Sequence, residues 1–396
     1  MRAPANRNVY VVGYGAATPL GRTFPETWQR AARGESGLRR LTRCQVDTRN
    51  NVVGEIPDWD PETLDFVDKK EAYNWNADFV LLTMAVCREA LAHAGIEMDD
   101  TIGPRTACLV GSALNGSDAY RTAMDNYLNR GPLKISPYLL PNLCANLPAG
   151  KAGMLEGFTG PIFSPQGACA SGNHAIGIGA RMIRDGDCDV ALVGGVDTCL
   201  IPEIIHGFAN MLATISIGPK DRAYTDPGQA SRPFSLDRKG MVLSEGGGVL
   251  VLAADDIVAT HGLKARAEVL GIGWTSDAFH FTQPNAETII RAIHGAIDDA
   301  GLAPGDIQYV NAHGTSTPKG DMTEIDCLRS VFGPHLDRMP VSSNKSQIGH
   351  SLGAAAAIEA ALAIEGMQQG IILPTINYLP DPKFDDIDVV PDQARH

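Results

Sequence analysis

Short apolar runs rich in Val, Leu and Ala alternate along the chain with longer stretches whose apolar positions recur at helical spacing. Short runs that end at glycine are typical of buried strands, whereas the longer periodic stretches predict helices. Strands that alternate with helices indicate a layered α/β architecture with buried sheets. The pattern predicts helices near residues 25–33 and 78–94, and strands at residues 9–13, 106–111, 189–195 and 247–253.

The second part of the chain repeats the first in outline. Residues 269–273 (Val-Leu-Gly-Ile-Gly) echo residues 11–15 (Val-Val-Gly-Tyr-Gly), and residues 296–302 echo residues 90–96, each ahead of a strand-like run. This duplication indicates two α/β halves of similar plan. We place the two halves at residues 1–260 and 261–396.

Two further helices lack a clear polar face. They are predicted at about residues 170–185 and 351–366, where Ala, Gly and Ile dominate. A helix that is apolar on all sides is buried between other elements. We therefore expect these two helices to pack against each other at the centre of the molecule.

Composition excludes several classes of protein. Of the 396 residues, 44% are hydrophobic and 20% are charged, which excludes disorder for most of the chain. The net charge of −13 argues against nucleic-acid binding, which needs a basic face. No apolar run reaches the roughly 20 residues that cross a bilayer, and the N-terminus lacks the apolar core of a signal peptide. We expect a cytoplasmic protein with neither nucleic-acid nor membrane partners.

The eight cysteines are scattered and form no Cys-x-x-Cys pair, so a zinc site or other metal site has little support. In a large chain without a signal peptide, most cysteines are reduced and behave as small apolar side chains. We expect this of seven of them. The eighth, Cys169, stands in Gly167-Ala168-Cys169-Ala170-Ser171-Gly172, where the first central helix is predicted to begin.

A helix start favours a thiolate at Cys169, because unpaired backbone N–H groups and the helix dipole stabilise negative charge there. The thiolate is the nucleophilic form of cysteine and exchanges readily with thioesters. Small neighbours would let a substrate reach the sulfur. Composition alone still favours an inert buried cysteine.

Two histidines stand in the other polar segments of the chain. His313 follows a strand-like run and precedes Gly-Thr-Ser-Thr, and His350 precedes the second central helix. A histidine beside a helix N-terminus tends to stay neutral, and a neutral imidazole can donate an N–H to a developing oxyanion. Two such donors could hold the enolate formed when a β-carboxylated thioester loses CO₂. The alternative is a pair of hydrogen-bonded core histidines.

A lysine and a glutamate accompany the histidines. Glu359 lies inside an otherwise apolar helix, and a buried carboxylate requires a partner. Lys345, in a Ser-rich loop, is the candidate for that partner, although a surface lysine is the simpler interpretation of this residue taken alone.

In combination, Cys169, His313-Gly314-Thr315-Ser316-Thr317, Lys345 and Gly349-His350 resemble the active-site motifs of the elongating type II β-ketoacyl-[acyl-carrier-protein] synthases. The resemblance extends over nearly the whole chain, from residues 11–15 to Pro374-Thr375-Ile376-Asn377. It implies the thiolase-like duplicated α/β fold, with layers α-β-α-β-α and two central buried helices.

The resemblance also implies roles for individual residues. Cys169 would take the acyl chain from a phosphopantetheine thioester, and His313 and His350 would bind the malonyl thioester and promote its decarboxylation. The resulting carbanion would attack the acyl-Cys thioester and extend the chain by two carbons. Lys345, paired with Glu359, would order the site. The remaining residues that it assigns bind substrate: Thr315 and Thr317 the pantetheine arm, Phe208 the gate of the acyl pocket, and Leu114 its floor.

The implied partner is an acyl carrier protein, and no cofactor is expected besides the phosphopantetheine that the carrier bears. The family works as a dimer in which residues 138–146 reach the neighbour's pocket. Carrier-docking surfaces in the family are usually basic, whereas the gating loop here reads Ala209-Asn210-Met211-Leu212, where an arginine is common. The remaining candidates for carrier docking are Lys69, Lys70, Arg130 and Lys134.

The sequence differs from the family pattern in two further ways. It ends at His396, whereas family members usually continue through a last strand and a Gly-Phe-Gly-Gly-type loop that supplies an oxyanion-hole N–H; we expect a truncated record or a disordered tail. Trp75, Asn76 and the segment 200–217 are unlike the primary-metabolism enzymes. This difference favours a specialised polyketide or polyene pathway, in which a synthase pairs with a chain-length-factor subunit.

Two alternatives remain open. A thiolase has a related fold and a helix-start cysteine, but it acts on coenzyme A esters and normally needs a second cysteine near the C-terminus. An inactive chain-length-factor subunit is disfavoured because such subunits usually lack the nucleophile, whereas Cys169 is present. The oligomer is therefore expected to be either a homodimer or a heterodimer with a chain-length-factor-like subunit.

Overall fold

The computed structural model describes residues 7–74, 77–217, 226–280 and 283–396. Its strands are β1 (Val9–Ala17), β2 (Arg39–Arg40), β3 (Val52–Val53), β4 (Thr106–Gly111), β5 (Ile162–Phe163), β6 (Val190–Asp197), β7 (Gly246–Ala254), β8 (Ala267–Glu268), β9 (Val310–Asn311) and β10 (Val341–Ser342). Its helices are α1 (Phe24–Ala32), α2 (Lys69–Asn74), α3 (Asp78–Ala94), α4 (Ser117–Arg130), α5 (Leu139–Leu143), α6 (Leu147–Glu156), α7 (Ser171–Arg184), α8 (Pro202–Asn210), α9 (Asp255–His261), α10 (Ala286–Asp299), α11 (Pro318–Phe332), α12 (Lys345–Ile348) and α13 (Ala355–Gln369).

The largest sheet has six strands in the order β5-β4-β6-β7-β1-β8. β4 pairs parallel with β5 and with β6, whereas β7 runs antiparallel to both β6 and β1. Every residue of β4, β6 and β7 is buried. Burial on both faces explains why these strands read as continuous apolar runs rather than alternating ones.

Side chains of this sheet point alternately to two apolar layers. Val110 and Leu192 face one layer, where α3 covers the sheet. Leu109 and Val193 face the other, where α7 and α13 pack against the sheet and against each other. The predicted duplicated α/β fold with two central buried helices is thereby confirmed.

The second half is built around β9 and β10, which pair in parallel. The backbone N–H groups of Val310 and Ala312 donate to the carbonyls of Pro340 and Ser342. α10 and α11 pack against this pair of strands through an apolar cluster that includes Ile297, Ile325 and Val341. The division of the chain at residues 260 and 261 stays a prediction.

The echo of residues 11–15 at residues 269–273 does not extend to secondary structure. Residues 11–15 belong to β1, whereas the strand near the second run is β8, which pairs with β1. The backbone N–H of Ile272 donates instead to the Asp299 side chain, 2.9 Å away, so the ladder does not continue. The second central helix begins at Ala355 rather than near residue 351, because a 3₁₀ turn at Leu352–Ala354 precedes it.

The eight cysteines are free thiols, and five of them are buried as expected: Cys87, Cys108, Cys188, Cys199 and Cys327. Cys144 is exposed and Cys44 is half-buried, so the expectation of seven buried cysteines is wrong for these two. Within the described residues, no helix combines the length and the apolar character needed to span a bilayer.

Candidate active site

Cys169 lies in a 3₁₀ turn, Ala168–Ala170, that leads directly into α7. Ala168 has a φ of +49°, a conformation that is uncommon for any residue with a side chain. The Ser171 hydroxyl holds this turn, because it accepts the N–H of Gly167 at 3.0 Å and donates to the carbonyl of Ala168 at 2.7 Å. The thiol is therefore presented by a strained, hydrogen-bonded elbow at the start of a buried helix.

A glycine lets the two central helices approach closely beside this elbow. A Cβ at Gly172, in the first turn of α7, would lie 3.1 Å from both the carbonyl oxygen of Gly353 and the nitrogen of Ala357. That is tighter than ordinary van der Waals contact, so a larger residue would push α7 away from α13. The close approach brings the Cys169 elbow next to the turn that follows His350.

His350 faces the sulfur directly. Its Nε2 lies 3.0 Å from Sγ of Cys169. The backbone of His350 is fixed on both sides, since its N–H donates to the carbonyl of Val242 and its carbonyl accepts the N–H of Ser244. Among the described residues, no side chain or backbone group bonds the buried Nδ1. The ring is held in place while its tautomer is left free.

His313 completes a cluster of one sulfur and two imidazoles. Its ring centroid lies 5.2 Å from that of His350, with the rings nearly perpendicular at 88°. The backbone N–H groups of His313 and Gly314 each donate to the carboxylate of Glu324 in α11, at 2.7 Å. Sequence reasoning missed Glu324. The only sequence signal is an acidic residue beside the buried Ile325 on the inner face of α11.

Lys345 and Glu359 form an ion pair beneath the histidines. Nζ of Lys345 lies 2.5 Å from Oε1 of Glu359, and the lysine side chain is 1% exposed. The surface-lysine interpretation is therefore wrong for this residue. Burial raises the pKa of Glu359, and the nearby ammonium opposes that rise.

Both histidines are held neutral. Burial, the neighbouring His313 and the Lys345 charge together lower the pKa of His350 well below its ordinary value. Desolvation and Lys345 also lower the pKa of His313. The His313 ring borders an open cavity. Neutral imidazoles can donate or accept one proton each at physiological pH.

The protonation state of the Cys169 thiol differs from the one expected from the sequence. Burial raises the pKa of Cys169 above its ordinary value, even though Lys345 and a backbone N–H act in the opposite direction. The helix start therefore does not yield a resting thiolate, because removal from water disfavours the anion more strongly. The sulfur keeps its proton until a base takes it, and His350 is in contact with it.

Two of the four predicted substrate-binding residues pack near the thiol. Phe208 of α8 and Leu114 pack against the same apolar cluster as Cys169. The hydroxyls of Thr315 and Thr317 lie 3.0 Å apart in the turn that follows His313. A cavity of about 700 Å³ opens on Cys169 and His313, large enough for a substrate thioester.

The candidate docking residues Lys69, Lys70, Arg130 and Lys134 are all exposed. In the gating loop, the side chains of Met211 and Leu212 are 51% and 87% exposed. Trp75 and Asn76, on which the expectation of a specialised pathway partly depends, lie outside the described residues.

A thiol and two imidazoles at the junction of two α/β halves are the arrangement of a thiol-dependent condensing enzyme. Comparison with known families agrees: residues 6–256 match the N-terminal domain of beta-ketoacyl synthases, and residues 266–379 match the C-terminal domain. The chain belongs to the beta-ketoacyl synthase family.

Relatives and solved structures of this family match almost the full length of the chain. The chain is 34% identical to 3-oxoacyl-[acyl-carrier-protein] synthase 2 of Staphylococcus aureus strain N315 over 98% of this chain and 92% of that protein. The same identity and coverage are found with the Coxiella burnetii protein of that name. In structure it is similar to the ishigamide ketosynthase/chain length factor (TM-score 0.88, 30% identity, 99% of this chain and 94% of that one). It is also similar to a chain of the complex AntDE:AntF, described as a type II PKS acyl-carrier protein with its ketosynthase bound to the hexaketide (TM-score 0.87, 27% identity, 98% and 93%).

Proposed function

We propose that this protein catalyses decarboxylative Claisen condensation between an acyl group on Cys169 and malonyl-[acyl-carrier protein], extending the chain by two carbons. The observation that carries the proposal is the contact of 3.0 Å between Sγ of Cys169 and Nε2 of His350, with the His313 ring beside it. Membership of the beta-ketoacyl synthase family supports the same reaction.

Acyl transfer comes first. His350 Nε2 accepts the thiol proton as Sγ attacks the acyl thioester, and the proton passes to the departing pantetheine sulfur. The products are acyl-Cys169 and the free carrier thiol. A neutral His350 is needed as acceptor, and burial keeps it neutral.

Decarboxylation and condensation follow on the acylated enzyme. The malonyl thioester oxygen accepts an N–H from His313 and from His350, which stabilises the enolate formed when the bond to the carboxylate breaks and CO₂ leaves. The enolate carbon attacks the acyl carbonyl on Sγ and the C–S bond breaks. This step leaves the β-ketoacyl thioester on the carrier and a thiolate at Cys169, which takes a proton from solvent. His350 must accept at Nε2 in the first step and donate from Nε2 in the second, and its unbonded Nδ1 permits both tautomers.

The other assigned residues support these steps. The Lys345–Glu359 pair supplies a buried positive charge that disfavours protonation of either histidine. Thr315 and Thr317 would bind the pantetheine arm, Phe208 would gate the acyl pocket and Leu114 would form its floor. Thiol, imidazole and departing CO₂ account for each step, so the reaction as proposed needs no resident cofactor; EDTA treatment should leave the rate unchanged.

Acyl carrier protein is the proposed partner, with a second subunit on the face formed by α4 and the segment after it. This face exposes large apolar side chains, a feature of surfaces that bind another protein. They are Tyr120, Tyr127, Leu128, Leu133 and Leu140. Both a homodimer and a heterodimer with a chain-length-factor-like subunit are compatible with this face. The heterodimer should be tested first, because the ishigamide ketosynthase/chain length factor is a structural relative.

The decisive experiment is intact-mass detection of the acyl-enzyme after incubation with a panel of acyl-carriers. We expect one acyl mass per chain, mapped to the Cys169 peptide and not to the peptide of the exposed Cys144, and none on C169A. Malonyl-carrier should then yield CO₂. An acyl-enzyme that releases no CO₂ and accepts acetyl-coenzyme A would establish a thiolase instead. Activity of the purified chain alone, as a homodimer, would show that the enzyme does not require a chain-length-factor-like subunit.

A further inference from the structure

Asp197, the last residue of β6, is a fully buried carboxylate that accepts hydrogen bonds from four electrically neutral donors. Oδ1 accepts the hydroxyl of Ser112 at 2.7 Å and the N–H of Leu114 at 3.1 Å. Oδ2 accepts the N–H of Ala113 at 2.9 Å and that of Gly353 at 2.7 Å. None of the proposed reaction steps uses Asp197.

The hydrogen-bond directions fix the carboxyl group as an anion. The hydroxyl oxygen of Ser112 accepts the N–H of Asn115 at 2.9 Å, so its own proton points at Asp197. The three backbone N–H groups can only donate. Both oxygens of Asp197 therefore act as acceptors, and the donors offset the desolvation that raises the pKa of this carboxyl.

The four donors come from two sides of the pocket that holds Cys169. Ala113 and Leu114 pack against the same apolar cluster as Cys169. Gly353 lies in the 3₁₀ turn that follows His350. A Cβ at Gly353 would stand 2.7 Å from Oδ2 of Asp197 and 2.9 Å from the nitrogen of Ala113, so only glycine permits the three segments to meet.

We propose that Asp197 is a positioning residue: its carboxylate ties the Ser112–Leu114 turn to the turn after His350 and so sets the acyl-chain preference of the pocket, while its negative charge sets the reactivity of the Cys169 thiol. The part that concerns acyl preference rests on the proposed function, whereas the part that concerns the thiol does not.

The two effects have separate physical origins. Leu114 is placed by its own N–H bond to Asp197, so loss of that bond frees the side chain predicted to form the pocket floor. The negative charge of Asp197 also disfavours the thiolate, and it is among the groups that raise the pKa of Cys169. Removal of the charge should therefore make the thiol more acidic, and S112A and G353A, which keep the charge, separate this effect from a change in packing.

The test uses D197N in the full-length protein. Asparagine keeps the shape but loses the charge and directs an NH₂ group at donors that need an acceptor. We expect the pH midpoint of iodoacetamide alkylation, followed on the Cys169 peptide, to fall by about 1 unit. The ratio of long-chain to short-chain acyl transfer should change about tenfold. E89Q is the matched control, because Glu89 is another largely buried carboxylate with two backbone N–H partners, remote from the thiol; both readouts should match wild type.

A D197N protein with wild-type alkylation midpoint and wild-type acyl ratio overturns the proposal. If D197N does not fold, S112A and G353A replace it, since S112A removes one donor and G353A forces Asp197 and Ala113 apart while the charge stays. The acyl ratio must then move while the alkylation midpoint stays within a few tenths of a unit; an unchanged ratio in both variants overturns the positioning role. A wild-type protein that forms no acyl-enzyme refutes the proposed function, but the alkylation test of Asp197 still stands.

Discussion

The sulfur of Cys169 lies 3.0 Å from Nε2 of His350, although 181 positions separate the two residues in the chain. The contact depends on the close packing of α7 against the turn before α13, which Gly172 permits. It makes a neutral imidazole the immediate base for a thiol that burial keeps protonated. The reactivity of the site is therefore a property of the pair and not of the cysteine alone.

Loss of either histidine should suppress decarboxylation, whereas only the loss of His350 should also suppress acyl transfer. Each ring supplies one N–H to the enolate oxygen, and removal of one oxyanion donor reduces rates about 10²–10³-fold. We expect H313A to form acyl-Cys169 at a near wild-type rate but to release CO₂ from malonyl-carrier at least about 100-fold more slowly. H350A should lose both steps. H261A, at the exposed end of α9, is the control; equal CO₂ release by H313A and wild type would contradict the assignment.

Removal of Glu359 should destabilise the protein strongly. E359Q leaves the Lys345 ammonium buried without its counter-ion, and an unpaired buried charge costs about 3–5 kcal/mol of unfolding free energy. The double variant K345M/E359Q should recover most of the loss. Urea denaturation measures both values, and a double variant no more stable than E359Q would show that the pair is not coupled.

Removal of the Lys345 charge should also shift the pH dependence of the reaction. The ammonium lowers the pKa of both histidines, so K345M raises them, and protonation of the imidazoles then begins at higher pH. We expect the acidic limb of the CO₂-release profile to move to higher pH in K345M. An acidic limb at the wild-type position would mean that the histidines do not sense this lysine.

Cys169 should alkylate with an apparent midpoint above that of a free thiol. Burial raises the pKa of the thiol, so at neutral pH only a small fraction is thiolate and iodoacetamide reacts slowly. Mass spectrometry of the Cys169 peptide across a pH series measures the midpoint, with glutathione in the same tube as reference. A midpoint below that of glutathione would restore the helix-start thiolate predicted from the sequence.

The folded protein should lose stability as pH rises from about 4.5 to 7. Burial raises the pKa of four carboxyl groups to about 7: Glu89, Asp118, Glu245 and Asp321. Between the ordinary carboxyl pKa of about 4 and this value, the four carboxyl groups bind more protons in the native state than in the unfolded state. This effect outweighs the opposite one from the buried, neutral His313 and His350, so unfolding free energy falls with rising pH. Arg105 and Arg7 lower the pKa of Asp189 to about 2, so its stabilisation is complete above pH 4 and lost only below it.

Urea midpoints at pH 5 and pH 8 test this expectation, with E89Q as the informative variant. Glutamine cannot ionise, so the difference between the two midpoints should be smaller in E89Q than in wild type. A wild-type midpoint that rises from pH 5 to pH 8 would contradict the prediction.

Docking of the carrier protein should depend more on apolar contact with Leu212 than on ion pairs. Leu212 is 87% exposed with a φ of +55°, and the loop that carries it is joined to the Thr315–Thr317 turn, since Ala213 bonds Met241 and Gly240 bonds Ser316. L212D should weaken acylation by acyl-carrier about tenfold or more, whereas acylation by a small acyl thioester should stay at the wild-type rate. Equal losses with both donors would place the residue in the pocket instead.

The apolar pattern predicted the long buried elements of the first half correctly, but not the helices α4, α6 and α8. α3 and β4 occupy the predicted residues, and β6 and β7 differ by only one or two residues at their ends. Long buried elements with clear end signals are determined locally, because glycine and polar residues interrupt the apolar run where the element ends. The run 269–273 echoes residues 11–15 in sequence but is not a strand, because strand formation also requires a hydrogen-bonding neighbour, and the N–H of Ile272 is taken by a side chain.

The site residues could be named from the sequence because their chemistry is distinctive and three short segments carry it. Glu324 and Asp197 could not be named in this way. Each is an acidic residue without an unusual neighbour in the sequence, and each acquires its place from donors on other segments. Glu324 accepts the backbone N–H groups of His313 and Gly314, and Asp197 accepts the Ser112 hydroxyl and backbone N–H groups that include that of Gly353.

The sequence alone determined the order of strands and helices, the duplicated plan and the residues able to act as nucleophile, base and cation, because these follow from local patterning and side-chain chemistry. The tertiary structure decided which of them meet and in which charge state. The thiol is protonated and His350 is neutral because the packing of α7 against α13 removes both from water next to a buried ammonium. Desolvation depends on every element around a group, and no segment of the chain contains that information by itself.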